Sequence, residues 1–237
     1  MCLEVINLRS RYIKEKYVLD GVTFTAQKGK VNAILGINGA GKTTLLNILA
    51  GIHENYDGEI FIDGKRIHEA RSLEVKRKKF YIGDEAILFD EMSALQFIEY
   101  IHVIYKRKID EVRLRELAEA FNFEKYLFED CGKLSLGNRQ KTLLITALLI
   151  QCEILILDEP LLGLDVMAIE NFYKEIRNYA KEGRIVIFST HIIEVVNNIS
   201  DKVFLLDKGR IKESFDVGDQ VNIKAKFFEV INDDGGI

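Results

Sequence analysis

The stretch that decides the fold is Gly36-Ile37-Asn38-Gly39-Ala40-Gly41-Lys42-Thr43. It matches the pattern G-x-x-x-x-G-K-[ST], in which a glycine-rich loop binds the phosphates of a nucleotide. The apolar run Val31–Leu35 before it is typical of a buried strand, and residues 44–50 after it are typical of a helix. This is the local context that the motif requires, so the sequence predicts a phosphate-binding loop.

The residues of this loop have different predicted tasks. Glycines allow backbone N–H groups to converge on the phosphates without interference from a Cβ atom, and the following helix N-terminus adds partial positive charge. We expect Lys42 to neutralise the β and γ oxygens and the Thr43 hydroxyl to bind Mg²⁺. The predicted nucleotide-binding residues of this segment are Gly36, Asn38, Gly39, Ala40, Gly41, Lys42, Thr43 and Thr44.

A pair of carboxylates follows a second apolar run. Residues 154–157 are typical of a short buried strand, and Asp158 and Glu159 come directly after them. At the carboxyl end of a parallel strand beside the phosphate loop, Asp158 is expected to bind Mg²⁺. Glu159 is then expected to activate the attacking water as general base. The sequence contains no guanine-reading Asn-Lys-x-Asp pattern, which disfavours a GTPase.

The order of predicted elements indicates an α/β fold. The opening third favours strands, with a hairpin turn at Asp63-Gly64, and residues 94–141 show helical spacing of apolar residues. After that, strands and helices alternate, which predicts a parallel sheet covered by helices. We predict a P-loop NTPase with a RecA-like parallel core sheet, an N-terminal antiparallel β-subdomain and an inserted, mainly helical subdomain. The expected bounds are 1–85 and 151–214 for the core with its β-subdomain, 86–150 for the insertion and 215–237 for a tail.

Composition narrows the class of protein. The chain has 237 residues, 48% of them hydrophobic, and a formal net charge of −4. These values favour a folded core and argue against binding to nucleic acid through bulk positive charge. Residues 76–79 form a strong basic run, which we interpret as a solvated or partner-facing surface. Three cysteines, together with no expected signal peptide or spanning segment, favour a cytoplasmic location.

A third segment with a possible anion-binding role is a serine and a glycine just before a second predicted helix. Ser135 and Gly137 precede a predicted helix at 140–150, whose N-terminus can hold an anion. With this segment, residues 3–213 resemble the nucleotide-binding domain of ATP-binding-cassette (ABC) proteins, whose signature is Leu-Ser-Gly-Gly-Gln. The resemblance extends to Gly163-Leu164-Asp165 as the D-loop and to Ser189-Thr190-His191, which ends in the switch histidine. It further implies that Tyr12 stacks on adenine, with Tyr17 as the alternative.

The resemblance implies a head-to-tail dimer that encloses two ATP molecules with Mg²⁺. Each ATP would lie between Lys42 of one subunit and the Ser135, Gly137 and Asn138 segment of the other. Glu159 and His191 would be the catalytic residues. The implied partners are a second ATPase subunit and separate membrane-spanning subunits, so the chain would lie on the inner face of the cell membrane. The alternatives are a soluble ABC ATPase without a transporter and a hydrolysis-impaired regulatory partner in a heterodimer.

Three departures from the family pattern affect this interpretation. In the signature, Leu136 replaces a glycine and Asn138 replaces the glutamine, a form that resembles bacterial exporters of antibiotics or bacteriocins. The glutamine expected near residue 84 is absent, and Asp84 is our candidate for its position and for a metal ligand, with Glu85 as the alternative. The remaining histidines, His53, His68 and His102, are expected at the surface.

Overall fold

The computed structural model describes residues 2–12, 16–66, 73–218 and 221–232, and within these ranges it contains ten strands and eight α-helices. The strands are β1 (Cys2–Ser10), β2 (Leu19–Gln27), β3 (Val31–Leu35), β4 (Tyr56–Ile62), β5 (Lys65–Arg66), β6 (Lys79–Ile82), β7 (Ile154–Asp158), β8 (Ile185–Thr190), β9 (Lys202–Asp207) and β10 (Arg210–Asp216). The helices are α1 (Lys42–Ala50), α2 (Leu73–Lys76), α3 (Ala94–Tyr105), α4 (Glu111–Ala120), α5 (Leu136–Ile150), α6 (Val166–Lys181), α7 (Ile193–Ile199) and α8 (Ile223–Asn232).

The strands form two sheets. The first is four-stranded and antiparallel, in the order β2-β1-β4-β5. The second is six-stranded, in the order β10-β9-β3-β8-β7-β6, and is parallel except for the β9–β10 hairpin. Every residue of β3, β7 and β8 is buried, as expected for a parallel sheet covered on both faces. The predicted α/β fold, with its antiparallel sheet and its helices between β6 and β7, is confirmed.

Alternate residues of the central strands supply two separate cores. Leu155 and Leu157 pack into the cluster that includes the helices α3 to α6, whereas Ile154 and Ile156 pack into the cluster that includes α1 and the antiparallel sheet. Successive side chains of a strand point to opposite faces of the sheet, so a strand of apolar residues contributes side chains to both clusters. No helix in the described residues is both long enough and apolar enough to span a membrane.

The register of the parallel strands brings the predicted site residues to one edge. Leu35 at the end of β3 pairs with Thr190 of β8, and Asp158 at the end of β7 pairs with Ser189. The loop after β3, the residues after β7 and the residue after β8 therefore leave the sheet side by side. Ligands of open α/β sheets bind at this carboxyl edge.

Helix α5 begins four residues earlier than the predicted start at residue 140. Ser135 is its N-cap, and the Ser135 side chain accepts a hydrogen bond from the backbone N–H of Asn138 at 3.3 Å. A serine at this position satisfies an otherwise unpaired N–H group of the first turn. The signature residues 136–139 therefore belong to the helix itself, which the sequence pattern of apolar residues did not indicate.

Two surface expectations are wrong. Lys79 is buried, and its Nζ donates a hydrogen bond at 2.8 Å to the carbonyl of Leu49 near the end of α1. His102 is also buried, because its Nδ1 lies 2.8 Å from the carbonyl of Ile98 and the neutral ring can pack inside α3. Burial lowers the pKa of both groups, to about 8 for Lys79. His68 lies outside the described residues.

We expect Lys79 to make stability depend on pH in the alkaline range. Burial, assisted by the charge of Lys76, lowers its pKa from 10.5 to about 8. The unfolded chain therefore binds more protons between these values, and the free energy of unfolding rises with pH across that window. Relative to Lys79→Met, the wild type should gain about 1–3 kcal/mol between the two limits. Urea unfolding of both proteins at several pH values measures this difference, and parallel curves would contradict it.

Candidate active site

Two glycines of the phosphate loop are required by close contacts. A Cβ atom at Gly36 would lie 2.3 Å from the backbone oxygen of Leu206. Gly41 caps α1 with a φ of 105°, and a Cβ atom there would lie 2.9 Å from the carbonyl oxygen of Val18. Neither position tolerates a side chain, since the obstructing atoms belong to the backbone. These contacts explain in physical terms why the motif has glycine at both positions.

Lys42 is buried at the mouth of this loop. Its Nζ donates hydrogen bonds to the carbonyls of Gly36 at 3.0 Å and Ile37 at 3.2 Å, and lies 3.6 Å from Oε1 of Glu159. The ammonium group thus faces a cavity of about 280 Å³. The cavity is lined by Val18, Asn38, Gly39, Gly41, Lys42, Thr43, Thr44, Asp84 and Glu159.

Asp158 is a fully buried carboxylate at the end of β7. The hydroxyl of Ser189 donates a hydrogen bond to Oδ1, whereas Oδ2 has no hydrogen-bond partner among the described residues. Burial raises the pKa of Asp158, the Ser189 hydrogen bond and the nearby Thr43 hydroxyl lower it, and the charges of Asp84 and Glu159 raise it further. An unpartnered buried carboxylate oxygen is costly, and a bound cation would satisfy it.

These residues fit a magnesium ion shared with phosphate. The described residues contain no group of three or more His, Cys, Asp or Glu side chains suited to a metal. Mg²⁺ is usually held by one or two carboxylates together with substrate phosphates, and does not need such a cage. Asp158 and the Thr43 hydroxyl provide a donor set of this kind. Asp84 lines the same cavity, whereas Glu85 lines a neighbouring groove, so Asp84 is the better placed of the two alternatives.

Glu159 connects Lys42 to His191. Its Oε1 accepts a hydrogen bond from Nδ1 of His191 at 2.9 Å and lies 3.6 Å from Nζ of Lys42. The backbone of Glu159 has a φ of 45°, an uncommon conformation for a residue with a side chain, and all the more so before Pro160. Such conformations cluster at functional sites. Here the positive φ of Glu159 directs the chain away from β7. The N–H of Glu159 still donates a hydrogen bond to the carbonyl of Ser189 at 3.3 Å.

The signature residues lie at a different place in the same chain. Ser135, Gly137 and Asn138 occupy the N-terminus of α5, and none of them lines the cavity around Lys42. A Cβ atom at Gly137 would lie 2.2 Å from the carbonyl oxygen of Gly163, so this position must remain glycine. The polar side chain of Asn138 nearby lowers the pKa of Tyr126. The structure therefore does not bring the signature to the phosphate loop within one chain.

Two side chains of α5 attach the signature helix to the loop after Glu159. Gln140 Nε2 donates to the carbonyl of Pro160 at 3.1 Å, and Lys141 Nζ pairs with Asp165 Oδ2 at 2.7 Å. Both Gln140 and Lys141 are buried. The sequence patterns assigned no role to these two residues, and they indicated Ser189 only as part of the segment that ends in His191. Ser189 could have been found from the predicted strand alignment, because it lies directly beside Asp158 in the parallel pair.

Tyr12 lies beside the first turn of α1. Its hydroxyl is 3.3 Å from Oγ1 of Thr44, and its ring centre is 5.1 Å from that of His53, with the rings tilted by 48°. The alternative, Tyr17, contacts the guanidinium of Arg11 instead. The side chain of His53 is half-buried. The described contacts thus associate Tyr12 with the phosphate-loop helix.

Comparison with known proteins identifies the family. A family model described as ABC transporter matches residues 19–162. The chain is 36% identical to the putative ABC transporter ATP-binding protein AlbC of Bacillus subtilis, over 97% of this chain and 98% of that protein. It is 33% identical to the ABC transporter ATP-binding protein NatA of Bacillus subtilis, over 80% of this chain and 78% of that protein. A solved ATP-binding subunit of an ABC transporter has a TM-score of 0.90 and 27% identity, over 98% of this chain and 100% of that one. The chain therefore belongs to the ABC transporter family of ATP-binding proteins, as its motifs predicted.

Proposed function

We propose that this protein binds and hydrolyses ATP as a head-to-tail dimer and thereby drives separate membrane subunits of a transporter. The observation that carries the proposal is the meeting of Lys42, Asp158, Glu159 and His191 at the carboxyl edge of the parallel sheet. A phosphate-binding lysine, a buried metal-binding carboxylate and a base with its own orienting group are the parts that ATP hydrolysis needs.

ATP binding would rest on the loop between β3 and α1. The backbone N–H groups of the loop and the N-terminus of α1 attract the phosphates, and Lys42 supplies a full positive charge beside them. Thr43 and Asp158 would hold Mg²⁺, with Asp84 as a further oxygen donor. When bound, this ion neutralises charge on the β- and γ-phosphates.

Hydrolysis would rest on Glu159. Its carboxylate accepts the Nδ1 proton of His191, which fixes the orientation of the oxygen that takes a proton from the attacking water. The carboxylate also lies 3.6 Å from the Lys42 ammonium, so the base and the phosphate-binding charge share one cavity. Glu159 and His191 are both present, which favours an active ATPase over a hydrolysis-impaired regulatory partner.

The separation of signature and phosphate loop supports a dimer. Ser135 and Gly137 form a helix N-terminus suited to an anion, yet they do not line the Lys42 cavity of their own chain. A second subunit would bring its signature to this cavity and close the site over the γ-phosphate. A ligand that binds only the closed dimer shifts the equilibrium towards it, and hydrolysis removes that preference.

A groove beside the site is suited to a membrane partner. It has a volume of about 360 Å³ and is lined by Asn47, Ile52, Tyr81, Ile82, Gly83, Asp84, Glu85, Ile87 and Leu143. Ile52 and Ile87 are 63% and 74% exposed, which leaves apolar surface for a partner segment. Because Asp84 lines both this groove and the nucleotide cavity, a partner bound here would sense the nucleotide state. The Ser-Leu-Gly signature favours export, with the protein on the inner face of the membrane.

The proposal is tested by calorimetric titration with MgATP. We expect the wild type to bind and Lys42→Ala to bind about tenfold to a hundredfold more weakly, since a charge-assisted contact to phosphate is lost. Lys78→Ala, which removes an exposed lysine paired with Glu153, is the matched control and should bind like the wild type. No binding by the wild type, or equal affinity in Lys42→Ala, would contradict the proposal.

The same titrations at several Mg²⁺ concentrations test the metal ligand. Asp84→Ala should need more Mg²⁺ for half-maximal ATP binding, whereas Glu85→Ala, which changes the neighbouring carboxylate, should not. The opposite result would assign the role to Glu85.

A further inference from the structure

The side chain of Tyr12 is held in place although it is 62% exposed. Its hydroxyl lies 3.3 Å from Oγ1 of Thr44, and its ring packs against the His53 ring with a centre-to-centre distance of 5.1 Å. An exposed tyrosine normally samples several rotamers, and these two contacts, one at the hydroxyl and one at the ring, restrict it. The ring contact depends on His53, to which neither the motifs nor the family comparison assign a role.

His53 is itself anchored to the antiparallel sheet. Its Nε2 lies 3.0 Å from Oγ of Ser10, the last residue of β1, and this hydroxyl also donates to the carbonyl of Asn55 at 3.0 Å. A hydroxyl has one proton to donate, and a carbonyl oxygen can only accept a hydrogen bond. The Ser10 hydroxyl therefore donates its hydrogen bond to the carbonyl of Asn55. Nε2 of His53 must then carry a proton and donate it to Ser10. This arrangement fixes the orientation of the imidazole as well as its position.

The backbone of His53 is fixed to the phosphate-loop helix. Its N–H donates to the carbonyl of Asn47 in the last turns of α1 at 3.2 Å, and Ser10 is buried. The His53 side chain is therefore attached to the antiparallel sheet, and its backbone is attached to α1. Tyr12 is held from the same helix through Thr44. Both rings of the pair are thus attached to the helix whose N-terminus would bind the phosphates.

We propose that His53 is a positioning residue that holds Tyr12 ready to stack on the base of the bound nucleotide. The inference rests on the proposed function, since it requires ATP at the Lys42 loop. An aromatic group ordered before binding loses less conformational freedom when the base arrives, and this increases affinity. Because His53 acts only through the contact of Tyr12 with the base, it should affect neither the binding of the triphosphate nor the rate of the chemical step.

The test compares ATP with a ligand that lacks the base. MgATP and magnesium tripolyphosphate are titrated into the wild type, His53→Ala and His53→Phe. We expect His53→Ala to bind MgATP about two- to tenfold more weakly, as for loss of one aromatic pair, and to bind tripolyphosphate like the wild type. His53→Phe keeps a ring beside Tyr12 and should recover most of the affinity. In hydrolysis, KM should rise in His53→Ala while kcat stays unchanged. This is the result expected when an interaction is lost that the substrate and the transition state share equally.

A double-mutant cycle with Tyr12→Ala separates positioning from general damage. If His53 acts through Tyr12, the double variant should bind MgATP no more weakly than Tyr12→Ala alone. Additive losses, an equal loss of tripolyphosphate affinity, or no loss in His53→Ala would each overturn the inference. A wild type that binds neither ligand would instead overturn the proposed function, so the two failures are distinguishable.

Discussion

Glu159→Gln is expected to bind MgATP about as well as the wild type while its turnover falls by about 10²–10⁴-fold, the range for loss of a general base. The amide has nearly the same shape as the carboxylate, and its oxygen can still accept the hydrogen bond that His191 Nδ1 donates to Glu159 at 2.9 Å. It cannot take a proton from water. Lys42 loses a negative neighbour at 3.6 Å, which leaves its charge more available to phosphate. Binding and catalysis should therefore separate.

The measurements are steady-state ATP hydrolysis and the oligomeric state with ATP. Because the bound triphosphate is no longer consumed, Glu159→Gln should accumulate as an ATP-dependent dimer, detected by size-exclusion chromatography with light scattering. Glu153→Gln is the matched control, since Glu153 forms a surface ion pair with Lys78 and takes no part in the site. Turnover in Glu159→Gln equal to that of the wild type would remove Glu159 from its proposed role.

The parts of the site that follow from short sequence segments were predictable. The phosphate loop and the Asp158-Glu159 pair each come directly after an apolar run, and the parallel register then brings Asp158 beside Ser189. The fold followed from the same signals, because all-apolar strands that alternate with helices have few other arrangements. Asp165 is a residue type that often caps helices, and it is the N-cap of α6, since its side chain accepts a hydrogen bond from Ala168 N–H.

The parts that depend on distant side chains were not predictable. His53 meets Tyr12 only because β1 and the end of α1 lie together, and nothing in either segment indicates a ring contact. Lys79 belongs to a basic run, which favours a surface position, yet the strand β6 carries it beneath the end of α1. Gly137 matches a motif, but its contact with Gly163 depends on how α5 packs against the loop after β7. Periodicity and motif spacing contain no information on such contacts.

Mixing two inactive variants is expected to restore ATP hydrolysis if each site is shared between subunits. Lys42→Ala removes the phosphate-binding charge, and Ser135→Asp places a negative charge where the γ-phosphate of the partner's nucleotide would lie. Aspartate is also a good N-cap, so α5 keeps the cap that Ser135 provides, and the loss of function cannot be assigned to a frayed helix. Each variant alone should show little turnover.

In the mixed dimer, one composite site carries both changes and the other carries neither. Half of randomly formed dimers are mixed and each has one intact site of two, so an equimolar mixture should regain about a quarter of wild-type hydrolysis in a head-to-tail dimer. Lys42→Ala with Asp158→Asn is the control, because both changes affect the half-site of their own chain and every composite site stays defective. No recovery with Ser135→Asp would show that a single chain completes its own site. Recovery in the control would contradict the assignment of Lys42 and Asp158 to the same half-site. We expect recovery with Ser135→Asp because Ser135 does not line the cavity around Lys42 of its own chain.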